Sequence, residues 1–177
     1  MLKALLQRFR VVPHPALASV FMREGKIFVQ CSDRTPMRTA GFWVGSGPVA
    51  TLSATAEPAL VGQAVLDALA RSRVEVPAPE RGADLEAPLR RAAGVRSRRA
   101  LMAGTRCCVV DREGGVLRID PVANGGTKGE ARGYRPLPDA ETAAVELNAA
   151  AATADMVGRA VLGALERATV APDAATG

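Results

Sequence analysis

Aromatic residues are scarce in this chain, making up 3 % of its 177 residues as four Phe, one Trp and one Tyr. A core must therefore be built from Val, Leu, Ile and Ala, and few rings are available for stacking on bases. Histidine is scarcer still, since His14, between Pro13 and Pro15, stands alone. With one histidine, the three cysteines (Cys31, Cys107 and Cys108) cannot complete a zinc set at recognised spacing. Neighbouring cysteines rarely pair, and alternate strand residues face opposite ways. All three read as reduced, half-buried, small apolar residues, with a redox or metal role as the alternative. No apolar run approaches the length of a membrane span. The opening "MLKALLQRFRVVP" is interrupted by Lys3, Gln7, Arg8 and Arg10 and precedes no small-residue cleavage site, so it makes a poor signal peptide. Leu2, Leu5, Leu6 and Phe9 at helical spacing predict a short amphipathic helix there, with a membrane-surface role as the lesser reading. Free cysteines without an export signal point to the cytoplasm.

Catalytic motifs are missing as well. "GFWVGSGPVA" holds three glycines, but no Lys-Ser/Thr follows and no helix pattern opens there. "NGGTKG" is turn chemistry. Ser46 in "GSG" lacks nucleophile-elbow spacing, and nothing in the sequence makes His14 its base. The carboxylates fall on predicted turns and helix starts, where solvation or capping explains them.

What remains is an ordinary globular balance, 48 % apolar and 23 % charged, in a length that suits a single domain over 1–177. The net charge is +5 and the pI about 9.7. That excess would speed encounter with an acidic partner without establishing nucleic-acid binding.

The clearest pattern is a repeated helix. "VGQAVLDALAR" (61–71) and "VGRAVLGALER" (157–167) lie at a constant offset of 96, with eight of eleven positions identical. A glycine inside a helix costs about 1 kcal/mol relative to alanine, so the paired Gly62 and Gly158 call for a reason. Gly62 falls within the stripe of Val61, Val65 and Leu69, which predicts a helix backbone lying close against a sheet. Upstream, "VATLSATAEPALVG" (49–62) matches "VELNAAAATADMVG" (145–158) without a gap, each a short strand leading to its helix. "VFMREGKIFVQC" (20–31) is similar to "VVDREGGVLRID" (109–120), here at an offset of 89. Both read as hairpins, turning near Arg23–Lys26 and near Arg112–Gly115. The seven extra residues of the second half are assigned to "VANGGTKGEARGYRPLPDAET", a polar, glycine-rich exposed loop.

The halves, about 18–73 and 96–170, thus share one plan of three strands and a helix. A helix from Asp84, its N-cap, to Ala93, stopped by Gly94, is predicted between them. "RSRRALMAGTRCCVVD" (96–111) reads as one or two strands, and the tail 169–177 as disordered. The fold class is α/β (α+β), a central, largely antiparallel sheet with flanking helices.

Arg90, Arg91, Arg96, Arg98, Arg99 and Arg106 form the strongest charge feature. They fit the solvated side of a helix and an edge strand, an acidic protein surface, or nucleic-acid phosphates.

In the order and number of these segments, the chain resembles the immunity proteins of bacterial contact-dependent growth inhibition (CDI). The residues that carry the resemblance are "VFMREGKIFVQC", "LVGQAVLDALARSR", "LEAPLRRAAGVRSRRALM", "VLRIDP" and "MVGRAVLGALERA", spanning about 18–168. The resemblance implies a non-enzymatic protein with no cofactor or metal that binds the C-terminal toxin domain, often a nuclease, of an effector delivered by a neighbouring cell. In some members the toxin adds strands to the complex. Two departures stand out. No aromatic lies near Leu85, and the chain is basic where an inhibitor imitating nucleic acid would be acidic. The alternative function is a basic nucleic-acid-binding adaptor using the Arg90–Arg106 region. Candidate partner-binding residues are Arg23, Glu24, Asp33, Arg34, Arg98, Arg99, Arg112 and Glu113, on the two turns, the loop near Cys31–Arg38 and the arginine region. Self-association through an exposed edge strand stays open.

Overall fold

The computed structural model describes residues 14–39, 41–139 and 143–170. In chain order the first elements are β1 (Ala16–Arg23), β2 (Lys26–Arg34), a 3-10 turn (Met37–Thr39), β3 (Trp43–Ser53) and α1 (Pro58–Arg71). Then come α2 (Ala87–Ala92), α3 (Arg98–Met102), β4 (Arg106–Glu113), β5 (Val116–Asn124), β6 (Tyr134–Pro136), β7 (Val145–Asn148), α4 (Ala154–Arg167) and β8 (Thr169–Val170).

Two tight hairpins set the frame. Between β1 and β2 the chain turns at Glu24 and Gly25, whose φ angles are 47° and 72°, and between β4 and β5 at Gly114 and Gly115, at 59° and 87°. Positive φ at both central residues gives a two-residue turn that matches the strands' twist. The second turn pivots one residue later in its "REG" than the first. Ala16 and Arg106, like Lys26 and Val116, therefore stand 90 residues apart, not 89. The one-residue correction matters because a slip of one moves every side chain to the opposite face of a sheet. At 90, Val20 and Val110, Ile27 and Leu117, and Val29 and Ile119 all fall in one core cluster.

The strands form one largely antiparallel sheet of order β3-β2-β1-β4-β5, with β6, β7 and β8 all pairing to β5 and β8 alone running parallel to its partner. Thr169 and Val170, placed by the sequence in a disordered tail, are strand residues here. Residues 171–177 and the amphipathic helix expected within 1–13 lie outside the described residues. β4 is an inner strand between β1 and β5, which corrects the placement of Arg106 on an edge.

The long helices α1 and α4 cover one face. Val61, Val65 and Leu69 from α1, and Val157, Val161 and Leu165 from α4, are fully buried against the sheet, each contributing roughly 1.5–3 kcal/mol. The reason for the paired glycines differs from expectation. A Cβ on Gly62 would stand 1.8 Å from the carbonyl oxygen of Ala154, and one on Gly158 would stand 1.7 Å from that of Pro58. The glycines bring helix against helix, not helix against sheet.

Phe21, Phe28, Leu89, Leu101, Cys107 and Val122 form a second cluster on the other face, under α2 and α3. Cys108 belongs to the first cluster, so the neighbouring thiols face opposite layers. Several local expectations need correction. α2 starts at Ala87, and Asp84 pairs with Arg90 instead of capping the helix. Arg98–Met102 is helical, not extended, because the Ser97 hydroxyl accepts a hydrogen bond from the Ala100 N–H at 3.1 Å, the standard N-cap contact. The glycine-rich link holds a strand, β6, whose Tyr134 ring meets Phe21 edge-on at 5.7 Å.

Candidate protein-interaction surface

Strand register divides the eight candidate residues into two groups. β1 runs antiparallel to β4, pairing Met22 with Arg106 and Ala16 with Arg112. The two "REG" turns therefore project from opposite ends of the sheet. Arg23 and Glu24 mark one end, where they form an ion pair at 2.6 Å. Arg23 also donates to the carbonyl of Ala103 at 3.4 Å, just past α3 with its Arg98 and Arg99. A shallow groove of Gly25, Lys26, Thr51, Leu52 and Ser53 adjoins this turn. Arg112 and Glu113 mark the other end, which is also where β2 finishes in Asp33 and Arg34.

Asp33 plays a structural part. It is 3 % exposed and accepts hydrogen bonds from the backbone N–H of Arg73 at 2.9 Å and from that guanidinium at 2.6 and 3.1 Å. Burial alone would raise its pKa, but the contacts with Arg73 outweigh that and hold the carboxyl below its ordinary value. This pair ties the chain leaving α1 to the end of β2.

Half of the arginine feature is committed within the molecule. Arg90 pairs with Asp84, Arg98 with Glu86 at 3.3 Å, and Arg106 caps the last turn of α4 through the carbonyls of Leu165 and Glu166. Arg91, Arg96 and Arg99 are exposed. On the sheet face opposite α1 and α4, Arg118 bridges Asp120 at 2.9 Å and Glu146 at 3.1 Å. Burial, with Glu113 and Asp120 close by, pushes the Asp111 carboxyl upward.

The thiols are poorly placed for chemistry. All three are free and buried. Burial raises the pKa of each and is the largest cause in every case, leaving the reactive thiolate scarce. His14 contacts the carbonyl of Ser72 at 2.6 Å. Among the described residues no group of His, Cys, Asp or Glu converges in a way that could hold a metal, and no helix is long and apolar enough to cross a membrane.

Phe42 and Trp43 carry no functional reading from the sequence, and they adjoin the loop near Cys31–Arg38 that does. Beside Arg34, Met37 is 66 % and Phe42 42 % exposed, and Trp43 lies directly opposite Arg34 in the strand register. Phe42-Trp43 is the only adjacent aromatic pair in a chain poor in aromatics. That scarcity was the available signal.

The sheet thus carries helices on both faces, keeps its thiols buried and gathers charged side chains at its two ends. The comparison of sequences is specific about the class, matching residues 45–168 to the CDI immunity proteins. The chain belongs to that family. Two solved structures share its fold. One is a protein of unknown function from Neisseria meningitidis, 20 % identical with a TM-score of 0.70, the match covering 89 % of this chain and 97 % of that one. The other is a CdiA-CT/CdiI toxin and immunity complex from Yersinia pseudotuberculosis, 19 % identical with a TM-score of 0.67, covering 89 % and 99 % respectively. No curated protein is significantly similar in sequence.

Proposed function

We propose that the protein is a cytoplasmic, non-catalytic inhibitor that neutralises one cognate CDI toxin domain, a nuclease, by binding it. The observation that carries this reading is the family match over residues 45–168. Buried, weakly acidic thiols and the absence of a convergent metal-ligand group among the described residues favour binding over chemistry. A chain of net charge +5 does not imitate nucleic acid. It blocks its toxin by shape and by local contacts, with the partner engaging one end of the sheet. Arg34, Arg112 and Glu113 lie at one end, and Arg23, Glu24, Arg98 and Arg99 serve the other.

The test is growth competition. A strain lacking this gene, but keeping the rest of the locus, should be inhibited by contact with its unmodified siblings and rescued by the gene on a plasmid. Its nucleic acid should be degraded. Equal growth of the deletion strain overturns the immunity reading. Inhibition with intact nucleic acid overturns only the nuclease assignment.

A further inference from the structure

We propose that the corner formed by Arg34, Met37, Arg38, Phe42 and Trp43 is the anchor of the toxin interface, taking a carboxylate flanked by an apolar side chain. The proposal rests on the immunity reading above. Three observations build it.

First, the residue types are those that carry binding energy. Trp and Arg dominate interface hot spots, and Met and aromatics are enriched in interfaces. This chain places its sole Trp, one of its four Phe and the most exposed large apolar side chain among the described residues, Met37 at 66 %, around one arginine. Large apolar and aromatic side chains grouped around a charge on the surface mark a contact site.

Second, the Arg34 guanidinium is positioned yet unmatched. Its carbon stands 5.7 Å from the centre of the Trp43 ring. Nη2 points to the Met37 sulfur at 3.0 Å, a weak acceptor. Nε is buried and has no hydrogen-bond partner among the described residues. No carboxylate among the described residues forms an ion pair with this side chain. Its neighbour Asp33 is committed to Arg73. An arginine held over an aromatic face and lacking an anion matches the planar, two-pronged geometry of a carboxylate. The exposed Arg38 adds a second positive charge beside it.

Third, hydrogen bonds tie the described residues of the corner to the rest of the fold before any partner is present. Thr35 closes the neck of its loop, accepting from the Phe42 N–H at 3.1 Å and donating to the Phe42 carbonyl from its N–H at 3.0 Å and its hydroxyl at 3.2 Å. The Gly41 N–H donates to the Pro36 carbonyl at 3.2 Å. On the other side, the Arg34 N–H donates to the Arg73 carbonyl at 2.8 Å and its carbonyl accepts from the Val76 N–H at 3.1 Å. A preformed site loses little freedom on binding.

The experiment uses the full chain and a catalytically inactive form of the toxin domain encoded directly upstream. Arg34→Ala and Met37→Asp should each weaken binding at least tenfold, with Arg34→Lys recovering only part of the loss. Met37 is exposed, so its variant folds normally. Arg159→Ala, on the outer side of α4, should bind like wild type. Double-mutant cycles of Arg34→Ala against the toxin's surface Asp and Glu should find at least one coupling of tenfold or more. With Trp43 as the only tryptophan, 5-fluorotryptophan labelling gives one fluorine signal, which should shift when unlabelled toxin is added. Variants within twofold of wild type, or an unmoved fluorine signal in a formed complex, overturn the anchor and leave the immunity reading intact. Failure of the wild type itself to bind overturns both. A wild-type dimer that Arg34→Ala dissociates, with toxin affinity unchanged, assigns the corner to self-association and refutes the proposal.

Discussion

Replacing Gly62 by alanine separates two effects that usually act together. Helix propensity alone predicts stabilisation by about 1 kcal/mol, since alanine restricts the unfolded chain and favours the helix. The structure predicts the opposite sign. The new Cβ would stand 1.8 Å from the Ala154 carbonyl oxygen and 2.7 Å from the Gly158 nitrogen, and backbone cannot move aside as a side chain can. The helices must part by more than 1 Å, loosening Val61, Val65, Val157 and Val161, which are fully buried beside the contact. Overpacking costs about 1–3 kcal/mol and sometimes more. Backbone on both sides puts this case at the upper end, so the net loss should be about 2 kcal/mol. For a chain of this size that lowers Tm by about 4–8 °C. Gly163→Ala is the internal control, because among the described residues its Cβ would meet only the far end of the Arg167 side chain, at 3.4 Å. It should stabilise by up to about 1 kcal/mol. Gly62→Ala with Gly158→Ala should cost less than the two single losses added, because the first substitution already parts the helices. Urea denaturation monitored by circular dichroism reads the four variants against wild type. A Gly62→Ala protein as stable as wild type, or more stable, would refute the helix-on-helix account.

Asp33→Asn should destabilise by about 2 kcal/mol at pH 7, the scale of charge-assisted hydrogen bonds lost from a buried group. Because the folded carboxyl titrates below its ordinary value of 3.8, its contribution is complete above that value and lost as pH falls through the lowered one. Wild type and variant should therefore converge in strong acid, and parallel stability curves from pH 7 down would contradict the pairing. Ser97→Ala should cost about 1 kcal/mol by removing the cap of α3, measured by urea melts against Ser53→Ala on the edge strand. Cys31, Cys107 and Cys108 should resist a thiol reagent in the native protein and all react in urea; one fast-reacting native thiol would show that the burial is wrong.

How far the sequence could be read depended on the range of the interactions. α1 and α4 were legible because a stripe such as Val61, Val65 and Leu69 repeats at the helical period over several turns. The hairpins were legible because "REG" supplies the residues a tight turn needs. Their register was not, since Gly114 and Gly115 both tolerate positive φ and either could have led the turn. α3, at five residues, is too short to declare a period, and only Ser97 announced it. β6 exists because β5 offers a partner to Tyr134–Pro136, which no local pattern encodes. Gly62 announced that a side chain was excluded there but not what excluded it, because Ala154 lies 92 residues away in the chain. Among candidate interface residues, Arg34 was found by its charge. Trp43 and Phe42 carry no such local mark, because their placement depends on the neck bonds made by Thr35.

The central claim is that this chain silences a toxin by binding it. The most direct measurement titrates the purified protein into a fixed amount of the active toxin domain encoded upstream and follows nucleic-acid cleavage. The account predicts that cleavage falls linearly and stops near one equivalent. Cleavage that continues undiminished at tenfold excess would contradict it.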